Sequence, residues 1–174
     1  MRTAYRQGGF TLIEMIVVIA IIVSLAGIII PVVSSELEDA KKGRALGDMN
    51  RIATGINQYI KDTGFFPTGD QGAETFHWVF GNGELPQSND FDDGASANIM
   101  RFLSKNDFGG AKWRGPYMAE VGADPWGRAY IVNVQGYYEP LENVLIVCAG
   151  PNGQVDTTTN ATVAAEDDIM ILID

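Results

Sequence analysis

The segment FTLIEMIVVIAIIVSLAGIIIPVV, residues 10–33, has 24 positions and a single charge, Glu14. As a helix it measures about 36 Å at ~1.5 Å per residue, enough to cross a bilayer core of roughly 30 Å. Arg2 and Arg6 precede it and the next cationic residue is Lys41. The positive-inside bias therefore holds the N-terminus in the cytoplasm and sends the rest outward, as a single pass. A secretory signal peptide has a shorter apolar region, about 7 to 15 residues, and ends in a small-residue cleavage site. Here the apolar run passes into a helical pattern with no break.

Glu14 stands out within this run. An ionised acid at the centre of a membrane helix costs roughly 2.5 to 3.5 kcal/mol, and less near an end where it reaches the headgroups. Two readings stay open. Either the carboxylate snorkels, or it meets a cation inside the apolar layer. The segment has no Lys, Arg or His, so a cation would have to be a backbone amine made by cutting the chain. Gly8 and Gly9 form a flexible stretch that a protease can accommodate. A cut after Gly9 would create an amino group at Phe10, one helical turn from Glu14.

RQGGFTLIEMIVVIAIIVSLAGIIIP resembles the N-terminus of the type IV pilin and pseudopilin superfamily. Its short basic leader, Gly-Phe junction, Thr-Leu-Ile-Glu and proline-interrupted apolar helix carry the resemblance. The resemblance implies cleavage after Gly9 by a prepilin peptidase and N-methylation of Phe10. It implies that Glu14 pairs with the Phe10 amine of a neighbouring subunit during ATPase-driven assembly. It also matches Pro31 to the family's helix-breaking proline, whose missing N–H and ring clash loosen or kink a helix.

Further along, Leu46, Met49, Ile52, Ala53, Ile56, Tyr59 and Ile60 recur at three- and four-residue spacing, an amphipathic stripe that predicts a helix packed on a globular head. Ser34 and Ser35 are candidate caps of a helix restarted after Pro31, and Gly64 and Pro67 end it. AETFHWVF and ANIMRFLSK read as short helices on either side of a surface loop, GNGELPQSNDFDDGAS. DPWG is a turn signature. RAYIVNV, NVLIVCA and DIMILID are β-branched runs of strand length. The expected class is α+β, a pilin-like long helix on a small antiparallel sheet. The expected divisions are a leader at 1–9, a membrane and filament-core helix at 10–33 and a head at 34–174. The head comprises a helix continuation (34–63), a variable region (64–123) with an insertion near 78–111, and a β region (124–174).

Twelve Lys and Arg against 22 Asp and Glu give a net charge of -10, which repels nucleic acid. Neither GxSxG, HExxH nor a Cys/His pair is present, so no enzyme is expected. The only histidine, His77, reads as a partly packed side chain between Phe76 and Trp78. The only cysteine, Cys148, reads as a buried thiol that has no intramolecular disulfide partner.

The segments WRGPYM, GADPWGRAY and TGFFPTGDQGAETF are similar to segments of the major, G-type pseudopilins of type II secretion systems. That resemblance implies a calcium site in the C-terminal loop, with GPNG and EDDI as the matching pieces. Ala149 would offer a backbone oxygen, Asn152 would take the place of the first loop acid and Asp168 that of the last. Asp156 and Asp167 are nearby candidates, and no organic cofactor is implied. Hard calcium takes six to eight oxygens. Taken together, the resemblance implies a homopolymeric periplasmic filament that drives protein export across the outer membrane. The filament would assemble from the bacterial inner membrane with minor pseudopilins and an assembly platform. A surface pilus for adhesion or motility is the alternative, although a pilin of that kind often has a C-terminal disulfide loop that one cysteine cannot form.

Overall fold

The structure, a computed structural model, describes residues 9–73, 76–88, 91 and 96–173. The basic leader with Arg2 and Arg6, Glu74 and Thr75 of AETFHWVF, and most of SNDFDDGA lie outside the described residues. The chain divides into two compact units, Met1–Ala40 and Lys41–Asp174. Helix α1, Leu12–Thr63, begins in the first and ends in the second.

In the first unit α1 continues through Pro31 without interruption. Ser34 and Ser35 do not cap a restarted helix. Their hydroxyls donate to the carbonyls of Ile30 and Val32, at 3.0 and 2.9 Å. A serine inside a helix satisfies its hydroxyl in this way when no helix end is available to it. Apolar side chains are exposed all around the helix, from Phe10 through Val33.

In the second unit the remainder of α1 buries Ala45, Met49, Ile52, Ile56 and Tyr59, spaced by three and four residues. The expected stripe is shifted at its start. Leu46 is exposed and Ala45 takes the inward position. Gly55 lies on the packed face, where a Cβ would come 3.2 Å from Leu103 Cδ1.

The sheet is mixed, with order β3-β1-β4-β5-β7. Its strands are β1 (Trp78–Phe80), β3 (Ser96–Asn98), β4 (Ile131–Asn133), β5 (Leu145–Cys148) and β7 (Ile169–Leu172). β4, β5 and β7 arise from the three β-branched runs and pair antiparallel, as does β1 with β4. β1 and β3 pair parallel, which corrects the expectation of an all-antiparallel sheet. The WVF end of AETFHWVF is a strand, not a helix. Three large β-forming side chains, wedged between β3 and β4, take the ladder their neighbours offer. A short helix, α2 (Met100–Leu103), does form within ANIMRFLSK.

Residues along β5 alternate between two apolar clusters. Ile146 and Cys148 join Met49, Ile52 and Phe102, while Leu145 and Val147 join Trp78, Ile131 and Val155. Both faces of the central strands are therefore covered, which explains why they read as continuous apolar runs. Val155 belongs to a second, two-stranded parallel sheet of β2 (Gln87–Ser88) and β6 (Gln154–Val155).

Candidate functional site

The apolar run 10–33 places its one acid in a helix cap. Thr11 precedes α1, and its backbone N–H and hydroxyl both donate to Glu14 Oε2, at 2.8 and 2.7 Å. In return Glu14 N–H donates to Thr11 Oγ1 at 3.4 Å. This is a capping box, in which two otherwise orphaned donors at the helix start are satisfied reciprocally. The carboxylate also sits where the helix dipole favours negative charge. Sequence reasoning missed this role, although the Thr-x-x-Glu spacing before an apolar run carried it. Both bonds end on Oε2, so Oε1 takes no bond among the described residues. Gly9 and Phe10 are exposed, with open space around Gly9 and Phe10 85% exposed.

In the second unit the DPWG turn is organised by Asp124. Its Oδ1 accepts from the backbone N–H of Trp126 and of Arg128, both at 2.8 Å. Its Oδ2 accepts from the buried Cys148 thiol at 3.1 Å, and burial pushes that thiol's pKa up. Asp124 is itself buried. His77 is partly buried, its ring 6.5 Å from that of Tyr138.

The C-terminal loop brings four of the expected calcium residues into one hydrogen-bonded chain. Asn152 N–H donates to Asp167 Oδ2 at 2.9 Å, and Asn152 Nδ2 donates to Asp156 Oδ2 at 3.2 Å. Asp168 Oδ2 accepts from the backbone N–H of Asp156 and Thr157, at 2.8 and 2.7 Å. The carbonyl of Ala149 accepts from Gly153 N–H at 3.3 Å. Asn152 Oδ1 accepts from Gln154 N–H at 2.7 Å. Among the described residues no three His, Cys, Asp or Glu side chains converge as a ready metal group.

One atom nevertheless points to a cation. Asp168 is 7% exposed, and its Oδ1 is buried without a hydrogen-bond partner. Burial pushes the Asp168 carboxyl above its ordinary pKa, while the bonds from Thr157 and Asp156 pull the other way. A buried acceptor with no donor is costly, and a hard cation would satisfy it. The oxygens that Asp168, Asp156, Asp167, Asn152 and the Ala149 carbonyl could offer are of the hard kind that calcium takes.

Comparison with known proteins agrees with this architecture at both ends. A family model described as the prokaryotic N-terminal methylation motif matches residues 5–30. A second, described as type II secretion system (T2SS), protein G, matches residues 82–166. Type II secretion system core protein G of Escherichia coli (strain K12) is 28% identical over 162 residues, covering 93% of this chain and 94% of that protein. The proteins of the same name from Pseudomonas aeruginosa and Aeromonas hydrophila are 29% and 26% identical, each over 87% of this chain and over 90% and 88% of their own lengths. No solved structure matches significantly.

An apolar N-terminal helix with a methylation motif at its start, continued into an α+β head, defines a pilin-like protein, and the chain is similar to members of the type IV pilin and pseudopilin superfamily. Within that superfamily it is most like the G-type pseudopilins of type II secretion systems.

Proposed function

We propose that this chain is the structural subunit of a type II secretion pseudopilus, a filament that polymerises through the N-terminal helix and drives protein export across the outer membrane. The observation that carries this reading is the bare apolar circumference of α1 between Phe10 and Val33. Such a surface is stable only in lipid or against other apolar helices. A filament core of stacked copies provides the second environment after the membrane has provided the first.

In this reading a prepilin peptidase cuts after Gly9 and the new Phe10 amine is methylated. The capping box fixes the Glu14 carboxylate through Oε2, and Oε1 accepts the Phe10 amine of a neighbouring copy. In a medium of low dielectric that pair is far stronger than in water. Pro31 sits where its missing N–H weakens α1 locally. The head, residues 34–174, faces the periplasm, and minor pseudopilins and an inner-membrane platform are the assembly partners. The role is structural and involves no catalysis. Calcium, held by Asp168, Asp156, Asp167, Asn152 and the Ala149 carbonyl, would supply a charge that rigidifies the C-terminal loop.

Mass spectrometry of membrane-extracted protein tests the processing: a chain starting at methylated Phe10 is expected, and an intact Met1 removes the basis of the filament. In a deletion strain exoproteins should be retained while surface pili stay normal. Lost pili with normal secretion would reassign the chain to a surface pilus. Calcium titration followed by terbium luminescence should saturate in the full chain and fail in Asp168→Asn.

A further inference from the structure

The segment 149–168 contains four acids, Asp156, Glu166, Asp167 and Asp168, and no Lys, Arg or His. Acids gathered on one short loop favour an arrangement in which a positive charge is held close. The structure places a charge of the chain's own against it. The guanidinium of Arg128 lies on the backbone of Gly153, so close that a Cβ there would overlap Arg128 Cζ and Nη2. Gly153 has a φ of +77°, so glycine at this position serves both the turn and the seat for the side chain.

Arg128 is itself fixed from two sides. Its N–H and carbonyl bond to the Oδ1 and N–H of Asp124, at 2.8 and 2.7 Å. Along its other edge runs residue 84, where Ala129 N–H donates to Glu84 O at 2.8 Å and Glu84 N–H donates to Gly127 O at 3.2 Å. Gly83 makes that approach possible, because a Cβ there would meet the Arg128 carbonyl carbon at 2.6 Å. The same strand of chain continues to β2, where Gln87 N–H donates to Gly153 O at 3.1 Å and pairing extends along β6. Thus the insertion, the DPWG turn and the C-terminal loop meet at Gly153.

We propose that this junction is a built-in clamp: Arg128 acts as the loop's resident cation and β2 as its clasp, so that the C-terminal loop holds its conformation without a bound divalent metal. This goes beyond the calcium reading and does not depend on it. A metal at Asp168 would add to a loop already ordered.

Hydrogen exchange read by mass spectrometry on the full chain in detergent micelles tests the clamp. The amides of 152–157, several of which donate to Asp167 and Asp168, report on the loop. In the unaltered chain their protection should change by less than about threefold between excess calcium and a chelator. Arg128→Met, which keeps an unbranched stem and removes the charge, should lose about tenfold or more in chelator. Gln87→Pro deletes the donor to Gly153 O and should lose about threefold. Protection in β4 and β5 establishes that each variant is folded. A tenfold loss in the unaltered chain on chelation, or full protection of Arg128→Met in chelator, overturns the proposal. The terbium signal lost in Asp168→Asn reports on calcium separately.

Discussion

The helix α1 contains two kinds of sequence, each suited to a different surrounding. Up to Ala40 its apolar residues are spread over every face and stay exposed in the single chain. From Lys41 onward they narrow to one stripe, and Ala45, Met49, Ile52, Ile56 and Tyr59 are wholly buried against the head's own side chains. The difference shows which part of the chain is finished within one copy. The head closes its core by itself, whereas the N-terminal segment has no partner until lipid or another copy supplies one.

The contrast breaks first at isoleucines from the two parts. Ile52→Ala deletes atoms from a site with no exposed surface and should cost about 2 to 5 kcal/mol of head stability. Ile19, 56% exposed, should shift it by no more than about 0.5 kcal/mol when changed to Ala. Thermal unfolding of the full chain in micelles, followed by circular dichroism, measures both. Equal losses would mean that the two parts do not differ as described. Next in size is Glu14→Leu, which should enter the membrane as well as the unaltered chain yet form about tenfold less sedimentable filament, since one charge pair of about 1.4 kcal/mol amounts to that factor. Normal polymer from this variant would leave the carboxylate as a residue that merely snorkels.

The two parts were also unequally legible. The membrane-length run, the Gly-Phe junction and the three long β-branched runs could be read because each signal is local. β1 and β3 could not, because three residues such as Trp78, Val79 and Phe80 carry no period, and their state is decided by neighbours distant in sequence. Ala45 displaced Leu46 from the core for a related reason: spacing defines a stripe, but packing decides which edge of it is covered. Four of the five candidate calcium residues lie in one chain of bonds, yet Arg128 on Gly153 was invisible, since nothing in RAY or NGQ announces a contact across 25 residues. The capping box, by contrast, is written in the sequence as Thr-x-x-Glu ahead of an apolar run.

The head's closed core has a signature at alkaline pH. Burial raises Tyr59 to about 12 and pushes Tyr130, Tyr137 and the Cys148 thiol up as well. Folded values above unfolded ones mean that the folded state keeps these protons longer. Stability is therefore complete below about pH 8, where the unfolded thiol and phenols are still protonated, and is lost as pH rises from there toward 12. A fall of several degrees in melting temperature between pH 9 and 11 is expected, roughly what one to two kcal/mol produces in a domain of this size. A flat profile would mean these groups are hydrated. Cys148 should also resist alkylation at pH 8 until the chain unfolds.

The smallest effect separates the carboxylate's charge from its placement. Thr11→Val removes the hydroxyl that donates to Glu14 Oε2 and accepts from Glu14 N–H, but the Thr11 backbone N–H still donates to the same oxygen. Losing part of a cap costs about 0.5 to 2 kcal/mol. Because Glu14 stays charged and half held, filament yield should fall only about two- to fivefold, less than for Glu14→Leu, and Thr11→Ser should restore it. If the box serves only to start the helix, exchange at the first amides of α1 will quicken in Thr11→Val while filament yield stays unchanged. If it aims the carboxylate at a neighbour, yield and exchange will change together, and the N-terminal unit is then preorganised for a partner that the head does not need.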